Sequence, residues 1–222
     1  VADYVREATA KGWLRVCPPA ERPPRVYFYT GVNPLRRWPA PQLVRRHLWP
    51  KLDLIINVNV RMSSTAAESD VLLPAAGYYE KIGLKYPQSL VPYVIFGDRA
   101  VEPQGVAKSE WEIFGLLARK IQERALARGA KPFTDAYGIP RDYARFYDEW
   151  SMGGELNEAD EPATMDRMIQ RSPATKGFTW EDARTRGALP VQAVGLYGPH
   201  NQICSDWKPG ETLYPQQWFV KD

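Results

Sequence analysis

Two short stretches concentrate the polar side chains that could engage a ligand: TGVNPLRR (30–37) and RMSSTAAESD (61–70). The first offers Gly31, where backbone can approach a bound group closely, then Asn33, whose carboxamide both donates and accepts, then Pro34. The second offers Ser63, Ser64 and Thr65, whose hydroxyls and amides suit phosphate oxygens or a polar heterocycle. Together they describe a neutral, donor-rich shelf that binds without catalysing. The same residue types also make ordinary turns and caps, so on spacing alone both readings stand.

Other chemistries find little support. There is no G-x-G-x-x-G after the first apolar strand and no G-x-x-x-x-G-K-[ST], which argues against a nicotinamide or ATP site. The two histidines, His47 and His200, stand near no nucleophile motif, and His47 reads as a packing residue. Cys17 and Cys204 are isolated thiols of the ordinary part-buried kind. His200 and Cys204, four apart, would make half of a zinc site whose other half is missing. No catalytic residue and no metal ligand is assigned.

Composition sets the outer bounds. With 222 residues and 44% hydrophobic content, the chain can build one large core or two small ones. The net charge of +3 is spread along the sequence and leaves no electrostatic footprint for nucleic acid. No run reaches the ~18 apolar residues of a membrane span. The opening VADYVREATAKGW has the pattern of an amphipathic helix and lacks the layout of a signal peptide. Without an initiator Met, and with a turn-rich aromatic tail from GLYGPH onward, the chain is expected to be a piece of a longer polypeptide.

The elements that must position the shelf follow from local pattern. CPPAERPPR (17–25) interrupts both helix and strand, after which RVYFYTG (25–31) reads as a buried strand ending in a turn. APQLVRRHLWP (40–50) puts Leu43, Val44, His47 and Leu48 on one helical face and is closed by Pro50. LDLIINVNV (52–60) is a strand covered on both faces, which completes a βαβ unit with parallel strands. VLLPAA (71–76) adds a third strand. SEWEIFGLLARKIQERALARG (109–129) is a helix with a Ser109/Glu112 capping box, a stripe of Ile113, Leu116, Leu117 and Ile121, and a Gly129 stop. Past residue 130, helical pieces such as PRDYARFYDEW and TWEDARTRG, the latter behind a weaker Thr179/Asp182 capping box, alternate with Gly, Pro and acidic loops. The expected fold class is therefore α/β: a Rossmann-like parallel sheet flanked by helices over 1–130, followed by a helical, loop-rich extension over 131–222. In such a sheet ligands bind beyond the carboxyl ends of the strands, where both polar loops emerge.

The longer stretches PRVYFYTGVNPLRR, LWPKLDLIINVNVRMSSTAAESDVLLPAAGYYEK and AVEPQGVAKSEWEIFGLLARKIQERA together resemble the molybdopterin oxidoreductases of the dimethyl sulfoxide reductase family. The order of a GxNP loop, a strand, a Ser/Thr loop, an Asp and a VLLP run is that family's pattern. NVRMSSTAAESDVLLPAAGYYEKIGLKY and KPGETLYP are similar, more narrowly, to the catalytic alpha subunits of its type II branch. That branch contains nitrate, selenate, chlorate and perchlorate reductases, dimethyl sulfide dehydrogenase, and the ethylbenzene, steroid side-chain and alkane dehydrogenases. The tyrosine pair before Glu80 and KIQERALARG are most similar to the hydrocarbon-hydroxylating members.

The resemblance implies a fragment of the catalytic subunit of a molybdenum bis(molybdopterin guanine dinucleotide) enzyme. Its reaction would be anaerobic hydroxylation of a hydrocarbon-type substrate or reduction of an oxyanion. Gly31, Asn33 and Pro34 correspond to one cofactor-contacting loop, and Ser63, Ser64 and Thr65 to the next. Asn59 stands where many relatives carry an Asp that meets the nucleotide, so it departs from the family pattern. Asp70 matches the Asp before LLP, either as a ligand contact or as a cap that fixes the loop. The [4Fe-4S] cysteines and the molybdenum ligand belong to other parts of such a subunit. So do the contacts to an iron–sulfur beta subunit and a haem-containing gamma subunit. Relatives of this type are exported folded to the periplasm by a twin-arginine signal, with the cytoplasmic side of the membrane as the alternative. A non-catalytic nucleotide-binding or docking module would use the same shelf.

Overall fold

A computed structural model describes residues 2–11, 23–85, 93–135, 138–173 and 175–190. Cys17, His200, Cys204 and KPGETLYP lie outside the described residues. By internal contacts the chain forms two units, Val1–Ala76 with Gln104–Trp150, and Gly77–Pro103 with Ser151–Asp222.

The first unit is built on three parallel strands, β1 (Val26–Thr30), β2 (Leu54–Asn59) and β3 (Val71–Pro74), with β2 in the centre. The register pairs Tyr29 with Asn57, and Asn57 with Leu72. Because side chains alternate across a strand, Val58 and Leu73 share one face while Tyr29, Asn57, Asn59 and Leu72 share the other. The first face packs Val58, Ala75 and Leu73 against Ile113 and Leu117, and Phe28 against Phe114 at 5.7 Å. The second face carries Tyr27, which meets both Trp38 and Trp49. Cover on both faces explains why β2 reads as a nearly continuous apolar run. Asn57 is its buried exception.

The helices of this unit depart from the expected pattern in instructive ways. Helix α1 spans Ala2–Ala10, and the short helix α2 covers Pro34–Arg37. Helix α3 covers only Pro41–Leu43, and the chain then passes through a π turn at Val44–Leu48 and a 3-10 turn at Trp49–Lys51. A π turn shifts the rotation of successive side chains, so the single apolar face expected over 40–50 does not form. Leu43 and His47 are exposed, and His47 is not the packing residue expected.

Helix α4 (Glu110–Ala127) has the expected bounds. Ser109 Oγ accepts from the Glu112 N–H at 3.1 Å, while the Glu112 carboxylate pairs with Lys108. Gly129, at φ +59°, ends the helix in a Schellman arrangement: its N–H reaches Leu126 O and the Ala130 N–H reaches Ala125 O. The buried positions are Ile113, Gly115, Ala118 and Ala125, whereas Leu116 and Ile121 are exposed. The stripe is rotated from its sequence expectation: buried Gly115 and Ala118 lie towards the side of the helix that carries Trp111 and Gln122, which meet Trp150 and Tyr147. Helix α5 (Phe146–Trp150) packs beside α4, with Trp111 and Trp150 4.3 Å apart.

The second unit has an antiparallel sheet of β4 (Gly83–Lys85), β5 (Tyr93–Gly97) and β6 (Ala188–Pro190), with helices α6 (Glu161–Arg171) and α7 (Trp180–Arg186). Alternation along β5 buries Val94 and Phe96 with Ile169, Ala183 and Leu189, and Trp180 meets Phe96 edge-on. The Thr179/Asp182 capping box is present, and Gly187 in the left-handed region closes α7. The division by contacts does not follow the change of texture at residue 130: residues 131–150 cluster with the parallel sheet, and 77–103 with the later segment. Strand pairing between β5 and β6, distant in sequence, is the physical reason.

Candidate functional site

The parallel pairing of β1 and β2 brings the loops after both strands to the same edge. The Gly31 N–H donates to Val58 O at 3.2 Å, which starts the first loop as a continuation of the ladder. Gly31 sits at φ +65° with open space around a would-be Cβ, so its requirement is conformational and not steric. Asn33 then accepts two hydrogen bonds at Oδ1, from Thr65 Oγ1 at 2.5 Å and from Ser64 Oγ at 3.1 Å. Thr65 is fully buried and its Oγ1 also accepts from the Leu35 N–H at 3.0 Å. Pro34, buried at the start of α2, and Ser63, whose Oγ accepts from the Ala66 N–H, complete the junction. Arg45 adds a second tie, donating to Glu68 at 2.8 Å.

These bonds give the expected residues different tasks. Gly31, Asn33, Pro34, Ser63, Ser64 and Thr65 are brought together. Thr65, however, acts as a clasp between loops, its hydroxyl both donating and accepting within the protein. Asp70 is not with them. Its Oδ2 accepts from the Ile55 N–H at 2.8 Å and its own N–H donates to Ile55 O, which places it at the opposite edge of the sheet. Ile55 and Asn59 are separated by four strand residues, about 13 Å of extended chain. Asp70 therefore fixes the entry of β3 alongside β2.

Beneath the second loop lies a cleft of about 260 Å³ lined by Asn57, Asn59, Arg61, Met62, Leu72 and Pro74, among others. Asn59 Oδ1 accepts from the Val60 N–H at 2.9 Å, which leaves its amide nitrogen for the cleft. Asn57 is 1% exposed, and neither Oδ1 nor Nδ2 has a hydrogen-bond partner. Arg61 is exposed at the cleft and pairs with none of the described carboxylates. Sequence reasoning missed both Asn57 and Arg61. The available signal was the NVN alternation, which puts two carboxamides on one face of an otherwise apolar strand.

The same face carries a short polar relay. Ser69 Oγ donates to Thr65 O at 2.8 Å, so the Tyr29 hydroxyl, 2.7 Å away, donates to Ser69. Burial raises the Tyr29 pKa above the ordinary phenol value, and the contact with Ser69 works against that rise. Among the described residues no cluster of three or more His, Cys, Asp or Glu side chains is placed to hold a metal ion. No described helix is long and apolar enough to cross a membrane.

The arrangement suits an extended polar ligand lying across strand ends. The family model "Molybdopterin oxidoreductase" matches residues 13–120. Among curated relatives, the respiratory nitrate reductase subunit alpha of Haloferax mediterranei is 34% identical over 100% of this chain and 23% of its own length. The perchlorate reductase subunit alpha of Dechloromonas aromatica is 30% identical over 99% of this chain and 24% of its own. The dimethylsulfide dehydrogenase subunit alpha of Rhodovulum sulfidophilum is 36% identical over 77% and 19%. This chain thus spans about a quarter or less of the length of the relatives it matches. Acetylene hydratase from Pelobacter acetylenicus shares the fold, with a TM-score of 0.51 and 18% identity over 79% of this chain and 19% of that one. Matching along the parallel-sheet unit and on through its flanking helices, the chain belongs to the molybdopterin oxidoreductase family.

Proposed function

We propose that this segment holds the dinucleotide end of a molybdopterin guanine dinucleotide within the catalytic subunit of a molybdenum oxidoreductase. The observation that carries the reading is the clasp between Asn33 and Thr65, which sets two polar loops side by side over a cleft containing an unpaired buried carboxamide. A buried polar group without a partner is costly, so the residues present fit a ligand rich in donors and acceptors. Asn33, Ser63 and Ser64 would line the shelf, Asn59 would meet the nucleotide, and Arg61 would balance phosphate charge. Gly31, Pro34, Thr65 and Asp70 shape the loops and the sheet below them.

When bound, the cofactor supplies a two-electron redox centre with oxygen transfer at the metal; this chain orients it and limits its movement. The parent protein is read as a catalytic alpha subunit that carries a second dinucleotide and a [4Fe-4S] cluster in its other segments. It works with an iron–sulfur beta subunit and a haem-containing gamma subunit, after export to the periplasm. The relatives named for nitrate and perchlorate reduction match over nearly the whole chain and favour an oxyanion as substrate. Tyr78 and Tyr79, exposed before Glu80, are the residues behind the hydrocarbon alternative.

Metal, pterin and nucleotide analysis of the native complex tests the reading. Molybdenum with guanine nucleotide is expected, with Asn33→Ala lowering the amount retained. A complex active without either, or a parent protein whose ends fall at Val1 and Asp222, would support the docking-module alternative instead.

A further inference from the structure

Asn57 has a position that neither packing nor register explains. It occupies the centre of the three-stranded row between Tyr29 and Leu72, is 1% exposed, and lines the cleft. Its Oδ1 and Nδ2 are both without hydrogen-bond partners. Tyr29 is close enough to feel Asn57, yet its hydroxyl proton goes to Ser69, and the pair forms no bond of hydrogen-bonding geometry. An apolar residue would satisfy this position in the sheet, as Ile55 does two residues earlier on the same face. The amide is therefore a cost to the ligand-free sheet, and its chemistry indicates what relieves it. A carboxamide presents one donor and one acceptor side by side, which complements the planar edge of a nitrogen heterocycle.

We propose that Asn57 is a ligand-contacting residue that pairs with the heterocyclic edge of the nucleotide, so that cofactor loading completes the hydrogen bonding of the central strand. This rests on the reading of the shelf as the dinucleotide site. It deepens that reading by coupling occupancy to the stability of the sheet. Removing the amide then has opposite consequences in the two states: it relieves the ligand-free protein and deprives the loaded one.

The test uses the full subunit with its partner subunits, prepared once in a host that makes the cofactor and once in a host that cannot. Thermal midpoints of both forms and the guanine nucleotide retained after extensive dilution are measured. Asn57→Leu is expected to raise the midpoint of the cofactor-free form, to shrink the gain on loading, and to weaken retention by about tenfold. Asn57→Ala serves if the leucine variant does not assemble. Its cavity lowers both midpoints, but the gain on loading still shrinks. Equal shifts in the two forms would assign the amide a purely structural role and overturn the proposal. So would Tyr29→Phe reproducing the Asn57→Leu pattern, since Tyr29 would then be its partner. Lower retention in Asn33→Ala with unchanged retention in Asn57→Leu would sink this inference alone; unchanged retention in both would sink the shelf reading with it.

Discussion

Thr65 Oγ1 donates to Asn33 Oδ1 at 2.5 Å across 32 positions of sequence, and the same oxygen accepts from the Leu35 N–H. One buried hydroxyl therefore joins the loop after β1 to the loop after β2. Replacing Thr65 with Val keeps the shape and leaves Leu35 N–H unpaired. The expected cost is about 1–3 kcal/mol in unfolding of the full subunit. Cofactor retention should fall because the loops separate, while Thr65→Ser restores both. Denaturant unfolding with nucleotide analysis checks it, and a fully stable Val variant would contradict the clasp.

Asp70 acts on the other edge of the sheet. Asp70→Ala removes the acceptor for the Ile55 N–H and should destabilise by about 1 kcal/mol, with little change in nucleotide retention. Asp70→Asn keeps an acceptor oxygen and should cost less. A large loss of retention at unchanged stability would show that Asp70 meets the ligand after all.

Gly31→Ala isolates backbone conformation. No atom lies within 4 Å of the added methyl, so the expected loss of about 1–2 kcal/mol comes from holding φ at +65°. Gly31→Asn should lose less, because Asn tolerates that region. Equal losses for the two would point to crowding by a bound group.

Tyr29 predicts an alkaline sensitivity. Its folded pKa is raised, chiefly by burial, so the unfolded chain ionises first as pH increases. The associated stability is complete below the ordinary phenol pKa of about 10 and is lost as pH rises through the folded value. Tyr29→Phe should be less stable at neutral pH through loss of the Ser69 bond, yet show a flatter profile above pH ~10. Unfolding midpoints measured from pH 7 upward give the comparison, and an identical slope in both proteins would refute it.

Much of the fold was legible because local pattern and tertiary context agree there. β1 and β2 follow from apolar runs, the ends of α4 from Ser109 and Gly129, and the cap of α7 from Thr179 and Asp182. The misses have physical causes. The π turn at Val44–Leu48 broke the helical period assumed for 40–50. The buried positions of α4 include Gly115 and Ala118, small side chains that hydrophobic counting passes over, towards the side of the helix that meets α5. The antiparallel pairing of β5 with β6 joins segments far apart in sequence, which no local pattern announces.

By itself, the sequence determined that two polar loops follow two parallel strands, because alternation, turn residues and apolar runs are local properties; that β1 is largely exposed, with Tyr29 its buried residue, was not legible. Which of those polar residues are tied into the protein and which are left open to the cleft was decided only by the tertiary structure. Thr65 turned inward as a clasp, Asp70 fell at the far edge, and Asn57, inconspicuous in an apolar run, emerged as the unpaired amide of the cleft. A hydrogen bond is defined by its partner, and partners 32 residues apart meet only when the strands do.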